Sequence, residues 1–446
     1  MEIASDLIAR YGPRISTRRV LLERGLLKGA DEALRAHLPE PPWLLVADPN
    51  TWRAAGEAVA AGLERAGLRA QSLVLEPLSV RRDLLGDELA VERVREALAA
   101  CGARAAIAVG AGTVNDLVKL ACERLRLPYA AFATAASMNG YTSAIAAPLS
   151  RGLKLTLPAR PPVLVLADIE VLRAAPSRLS ASGFADLLSK PVSTADWKIG
   201  ELVAGAPFSA EVEAILARAA SLVDGAGPDI ARREEAALAR LFEALVLSGL
   251  AMAIAGASSP ASGGEHLVSH YLDAVATSRG EEHELHGLQV GVGTIVSAGL
   301  YECMLAFDPR SIDPAARAAR EPSWPEREAA LLAHFGERLG RRVLPHARAA
   351  YLCGRALEAR LRTLRDRWDE VREAASARVA PAASIAAALR SAGAPTTFAS
   401  IGVAPERARG AVLFGGALRA RYTILQLAHE LGTLEAWAEE ALRLVT

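Results

Sequence analysis

Cysteine is scarce in this chain of 446 residues. There are four, Cys101, Cys122, Cys303 and Cys353, and no two form a C-x-x-C pair. That excludes a disulfide framework and a zinc-finger pattern, and it makes a reducing, cytoplasmic setting the simplest expectation. Net charge is lacking too: lysine plus arginine number 51, and so do aspartate plus glutamate. A balanced chain offers no basic face for nucleic acid or an anionic membrane surface. No uncharged apolar run is long enough to be a membrane span. The nearest, FEALVLSGLAMAIAGASS (242–259), holds Glu243 and Gly249 and reads as a buried helix. The N-terminal MEIASDLIARYGPR carries Glu2 and Asp6 and no apolar core, so no signal peptide is expected. Lysine is rare as well: Lys28, Lys119, Lys154, Lys190 and Lys198 stand against 46 arginines. Four of the five fall between 119 and 198. A compact ammonium does different work from a planar guanidinium, so these four are candidate site residues.

Apolar residues are plentiful, at 51%. With this length they support two lobes rather than one core. Short apolar runs alternate with helical patterns over the first 175 residues. The runs are WLLVAD (Trp43–Asp48), AQSLVLEP (Ala70–Pro77), AAIAVG (Ala105–Gly110), YAAFA (Tyr129–Ala133) and PVLVLAD (Pro162–Asp168). Such alternation predicts parallel βαβ units with helices on both faces of the sheet. From about 176 onward apolar residues recur at three- and four-residue spacing, which predicts an all-helical second domain over 176–446.

Two features carry chemistry. AVGAGTVNDLVKLA lies at a strand-to-helix junction, where Gly110 and Gly112 permit close approach of a ligand and Thr113 is placed to cap the helix. The N-terminal N–H groups of that helix then face a phosphate. Asp48, at the end of the first run, suits either a ribose hydroxyl or a helix cap. The second feature is histidine. Four of eight lie between 266 and 286, and GGEHLVSHYLDA puts His266 and His270 one turn apart on one helix face. His283 and His286 follow in EEHELHGLQVGVGT. Neutral imidazoles from neighbouring segments suit Zn²⁺ or Ni²⁺, and Asp186, in the apolar SGFADLLSK, is the carboxylate that would complete an open three-ligand site.

GTVNDLVK, TAASMNGYTS, GLKLTLPARPP, ADIEVLRAAPSRLSASGFADLLSKPVSTADW, SGGEHLVSH and LHGLQVGVGT occur in this order. Together they resemble the sn-glycerol-1-phosphate dehydrogenases, of the iron-alcohol-dehydrogenase and dehydroquinate-synthase superfamily. The resemblance spans roughly residues 40–300, and LRARYTILQLAHELG extends it weakly. It implies a Rossmann-like α/β nucleotide-binding lobe followed by an all-α metal-binding lobe. The activity implied is reduction of dihydroxyacetone phosphate with NAD or NADP and one divalent metal.

By the same resemblance Asp186, His266 and His286 are metal ligands, and His270 faces the substrate. The cofactor's pyrophosphate lies along Gly112, Thr113, Val114, Asn115 and Asp116, after Gly110. Asp48 meets the adenosine ribose, and Thr134, Ser137 and Ser143 line the nicotinamide side. Lys154 and Lys190 are polar contacts to substrate, with Arg419 and Arg421 as further candidates for its phosphate. His283 has no counterpart. Three positions depart from the family pattern: Ala111 stands in the middle of the glycine triplet, Ala185 precedes Asp186, and Asn139 stands where a substrate-facing aspartate is usual. An amide keeps the carbonyl acceptor, loses the charge and gains a donor. The alternatives are a polyol or glycerol dehydrogenase, a cyclase like dehydroquinate synthase, or a relative that binds nucleotide without catalysis. NAD against NADP, and a monomer against a homo-oligomer, stay open.

Overall fold

The computed structural model describes residues 1–12, 14–77, 84–150 and 153–446, with the side chains of 150, 153 and 154 outside the description. The six long strands are β1 (Arg19–Glu23), β2 (Trp43–Ala47), β3 (Ala70–Val74), β4 (Ala105–Gly110), β5 (Tyr129–Ala133) and β6 (Leu164–Asp168). They form one all-parallel sheet in the order β1-β6-β5-β4-β2-β3. The central strands β2, β4, β5 and β6 are buried along their whole length. Strands covered on both faces read as continuous apolar runs, which is why their sequences do not alternate.

Around the sheet lie α1 (Glu2–Tyr11), α2 (Leu26–His37), α3 (Glu57–Arg65), α4 (Glu88–Ala100), α5 (Gly112–Leu125) and α6 (Ile169–Ala174). Leu34 of α2 and Leu63 of α3 pack on Trp43, Leu45, Ile107 and Phe132 to make the core on one face. Then come α7 (Ser177–Leu188), α8 (Lys190–Ala204), α9 (Glu235–Ala255), α10 (Gly264–Ser278), α11 (His286–Ala306), α12 (Trp324–Ala350), α13 (Pro405–Phe414), α14 (Ile424–Leu431) and α15 (Leu434–Arg443).

The chain divides into two compact units, and neither is continuous in sequence. The first is Met1–Leu187 with Arg218–Ser258; the second is Leu188–Ala217 with Ser259–Thr446. A boundary near 175 marks where the strands stop. The first unit also takes in α7, and it takes back α9 because that helix packs on α1 and α6. By length and composition α9 and α11 could each cross a membrane, but 72% and 83% of their apolar windows are buried in the fold. Both are core helices, as the apolar 242–259 run predicts for α9.

The second unit is built on α10 and α11, which pack together, with α15 against α11 and α13 against α10. Gly293 makes the first of these contacts close: a Cβ there would lie 2.6 Å from the Glu265 carbonyl oxygen. Asp196 of α8 is the polar hub. Its buried carboxylate accepts from the Tyr301 hydroxyl and the Ile424 N–H, each at 2.6 Å, and from the Gly264 N–H at 2.7 Å. Burial, with the Glu265 carboxylate nearby, pushes the Asp196 carboxyl up to about 7 against the pull of these donors. The folded chain thus holds this proton more tightly than the unfolded chain does. The contribution of Asp196 to stability is full below the ordinary carboxylate range and falls as pH rises toward about 7. Urea midpoints at acid and neutral pH measure this, and Asp196→Asn should flatten the slope.

Candidate active site

Strand order locates the first half of the site. From β2 the chain moves outward to β3, whereas from β4 it moves the other way, to β5 and β6. The crevice at the carboxyl ends of β2 and β4 is therefore a topological switch point, where open α/β sheets take their ligands. Asp48 follows β2, and Gly110 ends β4. The Asp48 carboxylate caps its helix, with Oδ1 accepting from the Asn50 and Thr51 N–H groups at 2.8 Å each. Gly110 is bare because a Cβ there would lie 2.6 Å from Cβ of Val114. At Gly112 a Cβ would find Met138 at an ordinary 3.5 Å, so packing does not demand that glycine.

Thr113 is not the helix cap. The capping position is Ala111, at φ −110° and ψ −141°, and no side chain caps α5. The strand turns into helix two residues earlier than Thr113 would need, so its hydroxyl lies inside the first turn. The result is a helix start with its N–H groups unclaimed by side chains, beside a glycine turn. Val114 is buried beneath it.

Asn115, Asp116 and Lys119 face the loop after β5 and organise it. Asn115 is buried and donates to the Gly140 carbonyl at 3.3 Å, while its Oδ1 accepts from the Tyr129 hydroxyl at 3.3 Å. Asp116 accepts from the Ala147 N–H at 2.9 Å. The Lys119 ammonium, wholly buried, donates to the carbonyls of Gly140 (2.7 Å), Ile145 (2.8 Å) and Ser143 (3.1 Å). Burial holds its pKa below the usual lysine range, against the pull of Asp116.

The loop 134–143 is correspondingly compact. Thr134 and Ser137 are buried at its start. Ser143 is turned inward, donating to the Gly140 and Ile145 carbonyls at 3.2 and 3.1 Å. Asn139, half-buried, donates through Nδ2 to the Ser248 hydroxyl at 3.2 Å. Two glycines let helices pass against this loop. A Cβ on Gly183 of α7 would lie 2.1 Å from the Ala136 carbonyl oxygen, and one on Gly249 of α9 would lie 2.4 Å from that of Asn139. Asp186 lies one turn after Gly183 on the same helix and is 2% exposed, between Ala185 and Leu187, both also buried. Lys154 lies on the short strand Leu153–Lys154, its side chain outside the described residues.

Three imidazoles gather in the second unit. The rings of His266 and His286 are 5.2 Å apart, those of His270 and His286 are 5.9 Å apart and stacked, and His266 and His270 are 6.2 Å apart. A ring nitrogen of His266 and one of His286 lie within 4.8 Å of each other. Their neighbours fix the tautomers. His266 Nδ1 is 2.8 Å from the Glu265 carboxylate, an acceptor only, so Nδ1 carries the proton. The Ser269 hydroxyl gives its single hydrogen to Gln289 Oε1 at 2.7 Å, so at its 3.0 Å contact with His286 Nδ1 it accepts. In a neutral ring with Nδ1 as the donor, Nε2 is the atom able to ligate a metal, the arrangement of histidines supported by outer partners. The donor set fits a borderline divalent cation.

Lys190 is buried and donates to the Ala261 carbonyl at 3.0 Å. Arg421 donates to the Ser262 carbonyl, and burial lowers its pKa to about 10. Arg419 donates to its neighbour's Leu418 carbonyl at 2.9 Å. His283 is half-exposed, 3.4 Å from Asp273. Sequence reading passed over Glu265, Ser269 and Gln289. A carboxylate next to His266, and an amide one turn beyond His286 in HGLQ, were the available signals.

Residues 22–176 match the family model of the iron-containing alcohol dehydrogenases. A probable glycerol dehydrogenase from Sinorhizobium meliloti has a similar fold, with a TM-score of 0.60 at 18% identity over 95% of this chain and 98% of that one. A glycerol-1-phosphate dehydrogenase (NAD(P)+) of Pyrococcus abyssi is 34% identical over 284 residues, 64% of this chain and 78% of its own. The protein of the same name from Bacillus velezensis is 32% identical over 438 residues, 97% of each chain. Near-complete alignment with that relative, on a fold with its crevice at the β2–β4 switch, shows that the chain belongs to the glycerol-1-phosphate dehydrogenase family.

Proposed function

We propose that this chain is a metal-dependent, NAD(P)H-linked dehydrogenase that reduces dihydroxyacetone phosphate to sn-glycerol 1-phosphate and runs the reverse reaction. The observation that carries the chemistry is the approach of a ring nitrogen of His266 and one of His286 to within 4.8 Å, with Glu265 and Ser269 at their Nδ1 atoms. Asp186 is the third ligand in this reading. When bound, the metal supplies Lewis acidity toward the ketone oxygen, and the nicotinamide supplies the hydride.

The chain's own residues do the rest. The open start of α5 and the Gly110–Gly112 turn bind the pyrophosphate. Asp48 keeps Oδ2 for a ribose hydroxyl while Oδ1 caps the helix. Thr134 and Ser137 border the nicotinamide, with Ser143 holding their loop in shape. Glu265 and Ser269 orient the ligand histidines, and His270 passes a proton toward the product oxygen. Lys154 and Lys190 are the proposed polar contacts to the phosphorylated substrate. Zn²⁺ and Ni²⁺ are the metals we propose, and a reducing cytoplasm the compartment, consistent with four free thiols.

Purified protein reconstituted with Zn²⁺ or Ni²⁺ should oxidise NADH or NADPH when given dihydroxyacetone phosphate. Turnover confined to an unphosphorylated ketone or polyol would remove the substrate and leave the fold. Asn139 tests the same point. Its Nδ2 is engaged by Ser248, so its carbonyl oxygen is the face left for substrate. Asn139→Asp keeps an acceptor but removes the amide donor that holds the side chain on Ser248, which disturbs its placement in the loop. The expected result is a KM for dihydroxyacetone phosphate raised by roughly threefold to tenfold, with kcat little changed. A gain in kcat/KM would mean a different natural substrate.

A further inference from the structure

A second cavity of about 290 Å³ opens in the first unit at the opposite end of the sheet from the β2–β4 crevice. It lies by the amino ends of β1, β5 and β6, where Arg18, Pro128 and Val163 enter those strands, and by the carboxyl end of α5. The volume approaches that of a small-molecule site. Ile15, Tyr129 and Val163 contribute apolar surface. Arg18, Arg126 and Arg160 contribute guanidinium groups, Lys119 also lines it, and among the described residues Glu123 is the only carboxylate there.

That carboxylate is already claimed. Glu123 Oε2 accepts from Arg160 Nε at 2.9 Å and from the Arg160 N–H at 3.0 Å. Among the described residues Arg18 and Arg126 make no side-chain hydrogen bond or ion pair; Arg126 reaches Glu123 only through its field. Two exposed guanidinium groups therefore remain at the rim of a cavity of mixed polar and apolar lining.

Arg126 is also held in a conformation that arginine resists. It ends α5 in the left-handed region, at φ 56°, where glycine is the usual residue. Among the described residues one other non-glycine has a positive φ, Arg233, and its guanidinium bonds the Arg173 carbonyl at 3.5 Å. Arg126 has no such intramolecular partner for its side chain. A strained backbone that carries an unengaged cation to a cavity rim points to a ligand outside the chain.

We propose that this cavity binds a phosphate monoester carrying an apolar group. Arg18 and Arg126 match its two negative charges with donor forks, and Ile15, Tyr129 and Val163 cover the apolar part. The position is separate from the cofactor crevice, and the proposal does not depend on the dehydrogenase reading.

The test is calorimetric titration of the full chain with phenyl phosphate, with benzoate in parallel. Arg126→Gly removes the cation and relieves the backbone, so thermal stability should hold or rise while phenyl phosphate affinity falls by about tenfold or more. Arg18→Ala should weaken binding similarly. Arg233→Gly, the same relief at a site away from the cavity, should leave binding unchanged. Unchanged affinity in Arg126→Gly and Arg18→Ala overturns the site, as does absence of phenyl phosphate binding to the wild-type chain. Benzoate binding as tightly as phenyl phosphate overturns the phosphate assignment.

Discussion

Replacing His266 by alanine should release the bound metal and lower kcat/KM by on the order of a thousandfold, while the fold stands. The side chain is buried, and its Nδ1 is anchored to Glu265, so no neighbouring water or histidine inherits the same position. His270 is on the same face of α10, one turn on, but its ring is 6.2 Å from that of His266. Glu265→Gln gives the graded comparison. It keeps the length of the side chain and weakens the acceptor at Nδ1, so metal affinity should fall by roughly ten- to a hundredfold. Metal content by mass spectrometry, read beside kcat/KM, checks both. A His266→Ala protein with full metal content would show that the ligand assignment is wrong.

Lys119→Met should be nearly as damaging without touching substrate. Methionine matches the stem of lysine but not its three donors, so the Ser143 carbonyl loses its partner, while those of Gly140 and Ile145 lose their shortest bond and keep the weaker ones from Asn115 and Ser143. Each unsatisfied acceptor costs about 1–3 kcal/mol. Part of that is offset because an ammonium no longer has to be buried, a cost visible in its lowered pKa. A net loss of about 3 kcal/mol is expected, concentrated in the loop that carries Asn139. Faster amide hydrogen exchange over 138–146, with a higher KM for NADH, is the measurable signature. Unchanged exchange there would show that the clamp does not hold the loop.

These two residues also mark what was legible in the sequence. The inner strands stood out because a strand buried on both faces has no polar positions to confuse its reading. β1 escaped notice: it is an edge strand with exposed Arg19 and Glu23 at its ends, paired only with β6. The His266–His270 spacing declared a helix face, and the glycine pair declared a sharp strand-to-helix turn. The partners that set each histidine's tautomer, however, depend on how α10 and α11 pack. Asp196 gave no local signal, because its donors come from Tyr301 and Ile424, far along the chain. Thr113 was misplaced as a cap because a hydroxyl residue in a turn can serve ligand or backbone, and only the backbone path decides which.

The return of α9 to the first unit has a consequence for how the protein is made. All six strands of the sheet have been synthesised once Asp168 is translated. The unit they belong to is not finished until Ser258 has followed. In the interval the apolar surfaces of α1 and α6 that α9 will cover wait without their partner. No single cut of the gene yields either unit whole, so expression of the isolated nucleotide lobe calls for a circular permutant or a bridged deletion rather than a truncation.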